Sequence, residues 1–115
     1  KTIQLLKKNG CSEKDMIACI GPCIKKNSYE VKDDFFKLFI NKNKKNVNFF
    51  TFKKKKIFFD LSKYIKSQFY ENGVKKIDII RKDTYALENN FFSSRRSKKN
   101  KHNDYGRNIS AIMIK

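Results

Sequence analysis

The chain has 115 residues, a length that allows one modest hydrophobic core and excludes two. Its net charge of +17 reflects 28 Lys and Arg residues against 11 Asp and Glu residues, and such a charge is typical of proteins that bind nucleic acid or anionic membranes. The lysines are scattered over the whole chain, and Asn, Ile and Phe are abundant with them. We interpret the charge as the codon bias of an AT-rich genome rather than as a polyanion site.

The cysteines and the histidine argue against disulfide and zinc frameworks within this sequence. Cys11, Cys19 and Cys23 form an odd set in one short window, which predicts structural thiols in a reducing compartment. His102 is far from them in a polar stretch, so no local zinc site is predicted. No apolar run approaches the roughly 20 residues that cross a bilayer. We therefore expect no membrane partner and, by default, a cytoplasmic location.

The first part of the chain predicts a helix followed by a strand. Residues 1–9 place their apolar side chains on one helical face, and Gly10 supplies the left-handed residue that commonly ends a helix. Residues 16–20 are apolar and strand-like, and Gly21-Pro22 ends that strand. Because the chain opens without Met and inside the first predicted helix, we expect a fragment of a longer protein.

The middle of the chain predicts a second helix and a hairpin. Apolar residues in 29–41 recur at spacings of three and four, which predicts a helix with an aromatic inner face. That face would contain Val31, Phe35, Leu38 and Phe39. Two short apolar runs, 49–52 and 57–59, are joined by four consecutive lysines. They predict a β-hairpin whose charged turn stays solvated.

The remainder predicts a third helix and two strands. Asp60 can cap a helix over residues 61–71, and Asn72-Gly73 can close it. A strand over 77–80 and a loop over 83–90 follow. A polar, lysine-rich stretch over 97–104 then precedes a terminal strand over 109–114. The last elements are therefore predicted as strand, loop and strand.

Two motifs contain residues suited to a binding site. Glycine lets a ligand approach the backbone closely and proline fixes the chain direction, so Gly21-Pro22 could form a pocket wall, with a simple strand-ending turn as the alternative. The second motif is Phe-Phe-Ser-Ser-Arg-Arg at 91–96, followed by Gly106-Arg107. Arginine offers planar, bidentate donors for phosphate or carboxylate, so the three arginines could form an anion site. Solvated surface arginines are the alternative.

Taken together, these pieces resemble the C-terminal half of the laccase-domain (YfiH-type, formerly polyphenol oxidase) family. The matching segments occur in the family's order and at similar spacing. They are residues 20–24 (Ile-Gly-Pro-Cys-Ile), 29–31 (Tyr-Glu-Val), Asp60-Leu61, Gly73-Val74, Thr84-Tyr85, 91–96 and Gly106-Arg107. Each motif is short, but their ordered recurrence over nearly the whole chain is specific.

The resemblance implies a fold and an activity. The fold would be a compact α/β domain with mixed sheets sandwiched between helices, incomplete at its N-terminus, with residues 1–115 as the C-terminal part of that one domain. The activity would be phosphorolysis of purine nucleosides such as adenosine, inosine and methylthioadenosine, with phosphate as co-substrate. Some members are described as also deaminating adenosine. One branch is tied to peptidoglycan precursor editing.

The resemblance also implies a cofactor. The family's zinc is held by two histidines and a cysteine from a segment that would precede residue 1, and copper belongs to the older polyphenol oxidase name. Zinc chemistry needs those ligands to fix the ion and polarise water or substrate. This chain alone is therefore expected to be inactive.

Six residues carry over as candidates for the substrate site. Gly21 and Pro22 would supply pocket backbone, and the polar group nearest the nucleoside or phosphate would be formed by Ser94, Arg95, Arg96 and Arg107. The sequence departs from the family at Asp83, where a cysteine is usual, at Ser94, where tyrosine is common, and in the long basic stretch 97–105.

Two other classes of function remain open on the sequence. A basic nucleic-acid-binding module would use the aromatic residues for stacking and the lysines for phosphates. Against it, several phenylalanines fall at core periodicities, namely Phe35, Phe39, Phe58, Phe59 and Phe69. A noncatalytic remnant of the enzyme is the other alternative.

Overall fold

The computed structural model describes residues 1–103 and 105–113, which form four α-helices and five strands. The helices are α1 (Thr2–Lys8), α2 (Asp33–Lys42), α3 (Leu61–Glu71) and α4 (Ser94–Lys99). The strands are β1 (Ile17–Ile20), β2 (Glu30–Val31), β3 (Phe50–Lys53), β4 (Lys56–Phe59) and β5 (Lys76–Ile79). The predicted α/β class is confirmed. None of the helices described is long and apolar enough to cross a bilayer.

Strands β1 and β5 pair in parallel, with Ile17 opposite Lys76 and Ile20 opposite Ile79. Ala18 and Ile20 face inward, whereas Ile17 is 72% exposed, as the period of two along a strand requires. Helix α3 packs against both strands and leads directly into β5. The parallel pair is thus held by the helix that connects into it.

Strands β2, β4 and β3 form an antiparallel sheet in that order. Strands β3 and β4 are joined by Lys54 and Lys55, whose φ angles of 48° and 60° are both left-handed. A two-residue turn with two positive φ angles matches the right-handed twist of paired strands. The predicted hairpin and its exposed lysine turn are confirmed.

An aromatic cluster fills the space between α2, α3 and the antiparallel sheet. Phe59 is 1% exposed, and Phe39 has its ring centroid 4.9 Å from that of Phe59 and 5.1 Å from that of Tyr64. Aromatic pairs at these separations contribute beyond their buried area. The core positions predicted for Phe39 and Phe59 are confirmed, and their rings are not free to stack on nucleic acid bases.

The predicted inner face of α2 is partly wrong. Leu38 is 56% exposed, and Phe36 packs inward instead, 5.0 Å from Phe50 between ring centroids. Val31 lies in β2, where it pairs with Ile57. Strand pairing with the hairpin therefore takes residues 30–31 out of the helix, which begins at Asp33 rather than at residue 29.

The C-terminal part differs most from the sequence prediction. Residues 94–99, for which no helix was predicted, form α4, with Ser93 as its N-cap. The terminal strand predicted over 109–114 is absent from residues 109–113, and residue 114 lies outside the described residues. Short helices depend on capping and tertiary contacts more than on propensity, which is why periodicity alone did not predict α4.

The predicted cap of α3 and the glycines predicted to end α1 and α3 are confirmed. Asp60 caps α3, since its Oδ1 accepts a 3.0 Å hydrogen bond from the Lys63 backbone N–H. Gly10 and Gly73 follow α1 and α3 with φ angles of 86° and 87°, which a residue without Cβ adopts at no steric cost.

Candidate functional site

Helix α4 positions the arginine motif. The buried Ser93 accepts a 3.3 Å hydrogen bond from the Arg96 backbone N–H, which satisfies a free donor at the start of the helix. Phe92, immediately before the cap, exchanges two hydrogen bonds with the side chain of Asn108, at 3.0 and 2.8 Å. These bonds join the start of α4 to residues 105–108, so Ser94 and Arg107 come to the same place although they are distant in sequence.

Arg96 points into the protein and binds backbone. Its guanidinium donates to the carbonyl oxygens of Thr84 at 3.2 Å, Tyr85 at 2.8 Å and Phe91 at 2.5 Å. A planar fork with several donors can hold three carbonyls at once. Arg96 therefore fixes the loop over residues 84–91, and its predicted contact with substrate stays a prediction.

Arg95 and Arg107 are exposed, and each stacks on a tyrosine. The Arg95 guanidinium carbon lies 5.3 Å from the Tyr29 ring centroid, and an Arg95 N–H donates to Glu30 O at 2.9 Å. The Arg107 guanidinium carbon lies 4.3 Å from the Tyr105 ring centroid. Stacking on an aromatic face leaves guanidinium edges available to an anion.

These two arginines line one cleft of about 300 Å³ together with Ser94, Tyr29 and Tyr105. No Asp or Glu occurs among the described residues that line it. The cleft is therefore positively charged and presents hydroxyl and guanidinium donors, a set suited to an oxyanion such as phosphate. Its volume is at the lower end of the range for small-molecule sites.

The six predicted residues do not all meet. Ser94, Arg95 and Arg107 line the cleft, Arg96 holds the loop behind it, and Gly21 and Pro22 lie outside its lining. The nearest side-chain atom to a Cβ added at Gly21 would be Ser110 Oγ, at 3.7 Å. Tyr29, Thr84 and Tyr105 also line the cleft and were not predicted as site residues, although the Tyr-Glu-Val and Thr-Tyr motifs contain two of them.

The cleft does not fit a metal ion. Its lining lacks cysteine, histidine and carboxylate, and no group of three such side chains is close enough to hold a metal anywhere in the described part of the chain. His102 is exposed, and Cys23 contacts Ser62 and Lys25. Neither zinc nor copper has a site among these residues.

Fold and cleft together define an α/β protein with a small, cationic cleft whose donors suit an oxyanion. A family model described as multi-copper polyphenol oxidoreductase laccase matches residues 1–115. The chain belongs to this family, and the resemblance inferred from its motifs is confirmed.

Two curated relatives carry a more specific name. A purine nucleoside phosphorylase of Rickettsia prowazekii (strain Madrid E) is 38% identical over 104 residues, which covers 89% of this chain and 43% of the relative. A purine nucleoside phosphorylase of Rickettsia conorii (strain ATCC VR-613 / Malish 7) is 40% identical over 105 residues, with the same coverage of 89% and 43%. The chain thus spans less than half the length of the relatives it matches.

Proposed function

We propose that the full-length protein is a purine nucleoside phosphorylase and that this chain is the C-terminal part of its single domain. The names of the two relatives support this general activity. Adenosine, inosine and methylthioadenosine are the proposed nucleosides, with adenosine deamination as a proposed side activity and the cytoplasm as the proposed location.

The cleft between α4 and residues 105–108 is the proposed phosphate site. Arg95 and Arg107 both line it, and no acid in the described lining opposes an anion. In phosphorolysis a phosphate oxygen bonds to C1′ of the ribose while the C1′–N bond breaks, and the purine leaves with the electron pair and takes up a proton. Guanidinium groups placed beforehand around phosphate lower the cost of bringing its charge to the sugar.

The remaining predicted residues are assigned different parts. Ser94, the first residue of α4, would donate a hydrogen bond from its hydroxyl to phosphate. Arg96 would act by positioning, because its donors hold the Thr84 and Tyr85 carbonyls against the helix that carries Arg95. Gly21 and Pro22 would contribute pocket backbone only toward parts of the full-length protein that lie outside this chain.

We further propose, from the resemblance to the family, that the full-length enzyme depends on zinc held by two histidines and a cysteine from a segment preceding residue 1. The ion would polarise substrate or water near the cleft. This chain alone would then bind phosphate but not turn nucleosides over. A noncatalytic remnant is the competing interpretation.

The test is phosphate-dependent release of free base from adenosine and inosine by the full-length protein, with zinc measured on the same sample. Arg95→Ala and Arg107→Ala should each raise the KM for phosphate about tenfold or more, since each removes a charge-assisted contact. Lys98→Ala, an exposed cation on the same helix, is the matched control and should change KM less than about twofold.

Three outcomes count against the proposal. Turnover that does not require phosphate would exclude phosphorolysis. An equal effect of Lys98→Ala and Arg95→Ala would remove the cleft as the phosphate site. A well-folded, zinc-free protein without turnover, even after zinc is added, would favour the remnant.

A further inference from the structure

A second cavity, of about 510 Å³, lies between the carboxyl end of β5 and residues 25–27, which follow β1, and shares no lining residue with the arginine cleft. Ile79 ends β5, and the lining continues with Arg81 on one side and Lys25 on the other. In parallel sheets the crevice outside the carboxyl ends of the strands is a common place for ligands. The location alone does not indicate which ligand would bind, but the charge of the lining residues does.

The lining carries a large excess of positive charge. Five lining residues are cationic, namely Lys25, Lys26, Lys63, Lys66 and Arg81. The Lys63 ammonium donates to Asn48 O at 3.1 Å, outside the lining, which leaves four cations for a ligand. Asp60 is the single carboxylate of the described lining, and its Oδ1 accepts the Lys63 backbone N–H as the α3 cap. Four like charges around one cavity repel one another. A bound polyanion would relieve that repulsion.

Salt bridges between described residues do not neutralise these charges. The ion pairs found between described residues join Lys7 to Glu13, Lys37 to Asp33 and Lys56 to Glu30, all away from this cavity. Positive charge that the protein leaves unpaired in a concave site raises the local concentration of anions.

Lys25 is held in place before any ligand binds. Its Nζ donates to Ile80 O at 3.1 Å and to Ser62 Oγ at 3.2 Å, and it lies 3.9 Å from Cys23 Sγ. An ammonium already oriented by neutral partners loses little side-chain entropy on binding. This lysine therefore differs from the solvated lysines of the 54–55 turn, which have no such anchors among the described contacts.

We propose that this cavity binds the phosphate chain of a small-molecule polyphosphate, such as a nucleoside polyphosphate. Lysine ammonium groups contact phosphate oxygens as point charges, and several of them match a chain of several phosphates. Single-stranded nucleic acid needs aromatic faces on which bases stack, and the described lining contains no aromatic side chain. The volume is that of a small-molecule site.

Inorganic tripolyphosphate is the probe, and its binding to the full-length protein is measured by isothermal titration calorimetry at low and at physiological salt. The double variant Lys66→Gln, Arg81→Gln should bind it about tenfold more weakly. No hydrogen bond among the described residues joins either side chain to the backbone. The Lys66 ammonium contacts the Tyr70 ring, 5.6 Å from its centroid, and Arg81 is exposed. An unchanged melting temperature verifies folding.

The matched control is Lys44→Gln, Lys45→Gln, which removes the same charge from exposed positions outside the cavity. A loss confined to the cavity variant supports the proposal. Equal losses of affinity in both variants would show that binding depends only on the net charge of the chain, and would overturn the proposal. Tighter, cavity-dependent binding of a single-stranded RNA oligonucleotide would also overturn it, in favour of a nucleic-acid surface. Neither variant touches the arginine cleft, so phosphorolysis can succeed or fail independently.

Discussion

Ser28 donates a 2.6 Å hydrogen bond from its hydroxyl to Oδ2 of Asp83, across 55 positions of sequence. The other oxygen of Asp83 accepts the backbone N–H groups of Lys25 at 3.2 Å and Tyr85 at 2.9 Å. The segments that follow β1 and β5 are thereby joined by one carboxylate. Resemblance to the family leads one to expect cysteine here, but a thiol cannot accept these three hydrogen bonds strongly.

Replacing Asp83 with alanine should destabilise the protein by about 1–3 kcal/mol, because three donors lose their acceptor in a partly buried site. Urea unfolding measures the change. Asp78→Ala, an exposed carboxylate on β5, is the control and should stay within about 0.5 kcal/mol. Equal effects of the two changes would show that the Asp83 contacts add little.

Arg96→Ala should lower the free energy of unfolding by about 2–3 kcal/mol, since the carbonyls of Thr84, Tyr85 and Phe91 lose a charged donor. Arg96→Lys should recover only part of this loss, because an ammonium cannot reproduce the planar fork. Thermal unfolding of both variants beside Lys98→Ala tests the assignment. An Arg96→Ala protein as stable as the control, but with weaker phosphate binding, would return Arg96 to the substrate site.

The elements predicted correctly are those whose caps, apolar spacing or turn residues lie within the element itself. Asp60, the apolar spacing of residues 61–71 and Gly73 predicted α3 at its observed bounds. The two apolar runs beside the lysines predicted the hairpin. Strand β2 was missed because its formation depends on pairing with β4, a distant segment, rather than on its own periodicity.

The sequence predicted the chemistry of the candidate site but not which residues line it. The motif predicted Arg95 and Arg107 as candidate ligands of an anion, and both line the cleft. Arg96 is adjacent to Arg95, yet the helix turns it about 100° away, toward the loop. Sequence order could not show this, because α4 itself depends on the buried Ser93 cap and on contacts with residues 84–91.

Gly106→Ala should disturb the cleft. A Cβ at this position would lie 2.5 Å from the Phe92 ring, so the ring or residues 105–108 must move, and Arg107 with them. We expect the KM for phosphate to rise about fivefold, with a smaller change in kcat. Lys98→Ala, at an exposed position on α4, is the control and should leave the KM for phosphate nearly unchanged. Rescue by Phe92→Ala in the double variant would identify the clash as the cause, and an unchanged KM in Gly106→Ala would contradict it.

The hairpin turn offers a stabilising change. Lys54 and Lys55 both adopt positive φ, which costs about 1 kcal/mol for a residue with a Cβ. Replacing the pair with Asn-Gly should raise the free energy of unfolding by about 0.5–1.5 kcal/mol. Lys54→Gln, Lys55→Gln removes the same charges without easing the backbone. If it stabilises as much, charge repulsion rather than φ strain is the cause.

Glu13 gives a stability contribution that depends on pH. A backbone hydrogen bond within Glu13 is the main cause that holds the pKa of its carboxyl below the ordinary value of 4.5, and Lys7, 3.4 Å away, adds to it. A lowered pKa favours the folded state above the ordinary value, and this contribution is lost as pH falls through the folded-state pKa. Glu13→Gln keeps the stem that packs beside Gly73 but has no charge. The stability difference between native protein and Glu13→Gln should therefore be present at about pH 6 and shrink toward about pH 3, as urea midpoints across that range would show. Glu88→Gln, at an exposed position, should not reproduce the trend. A difference that stays constant with pH would mean that the Glu13 charge contributes nothing to folding.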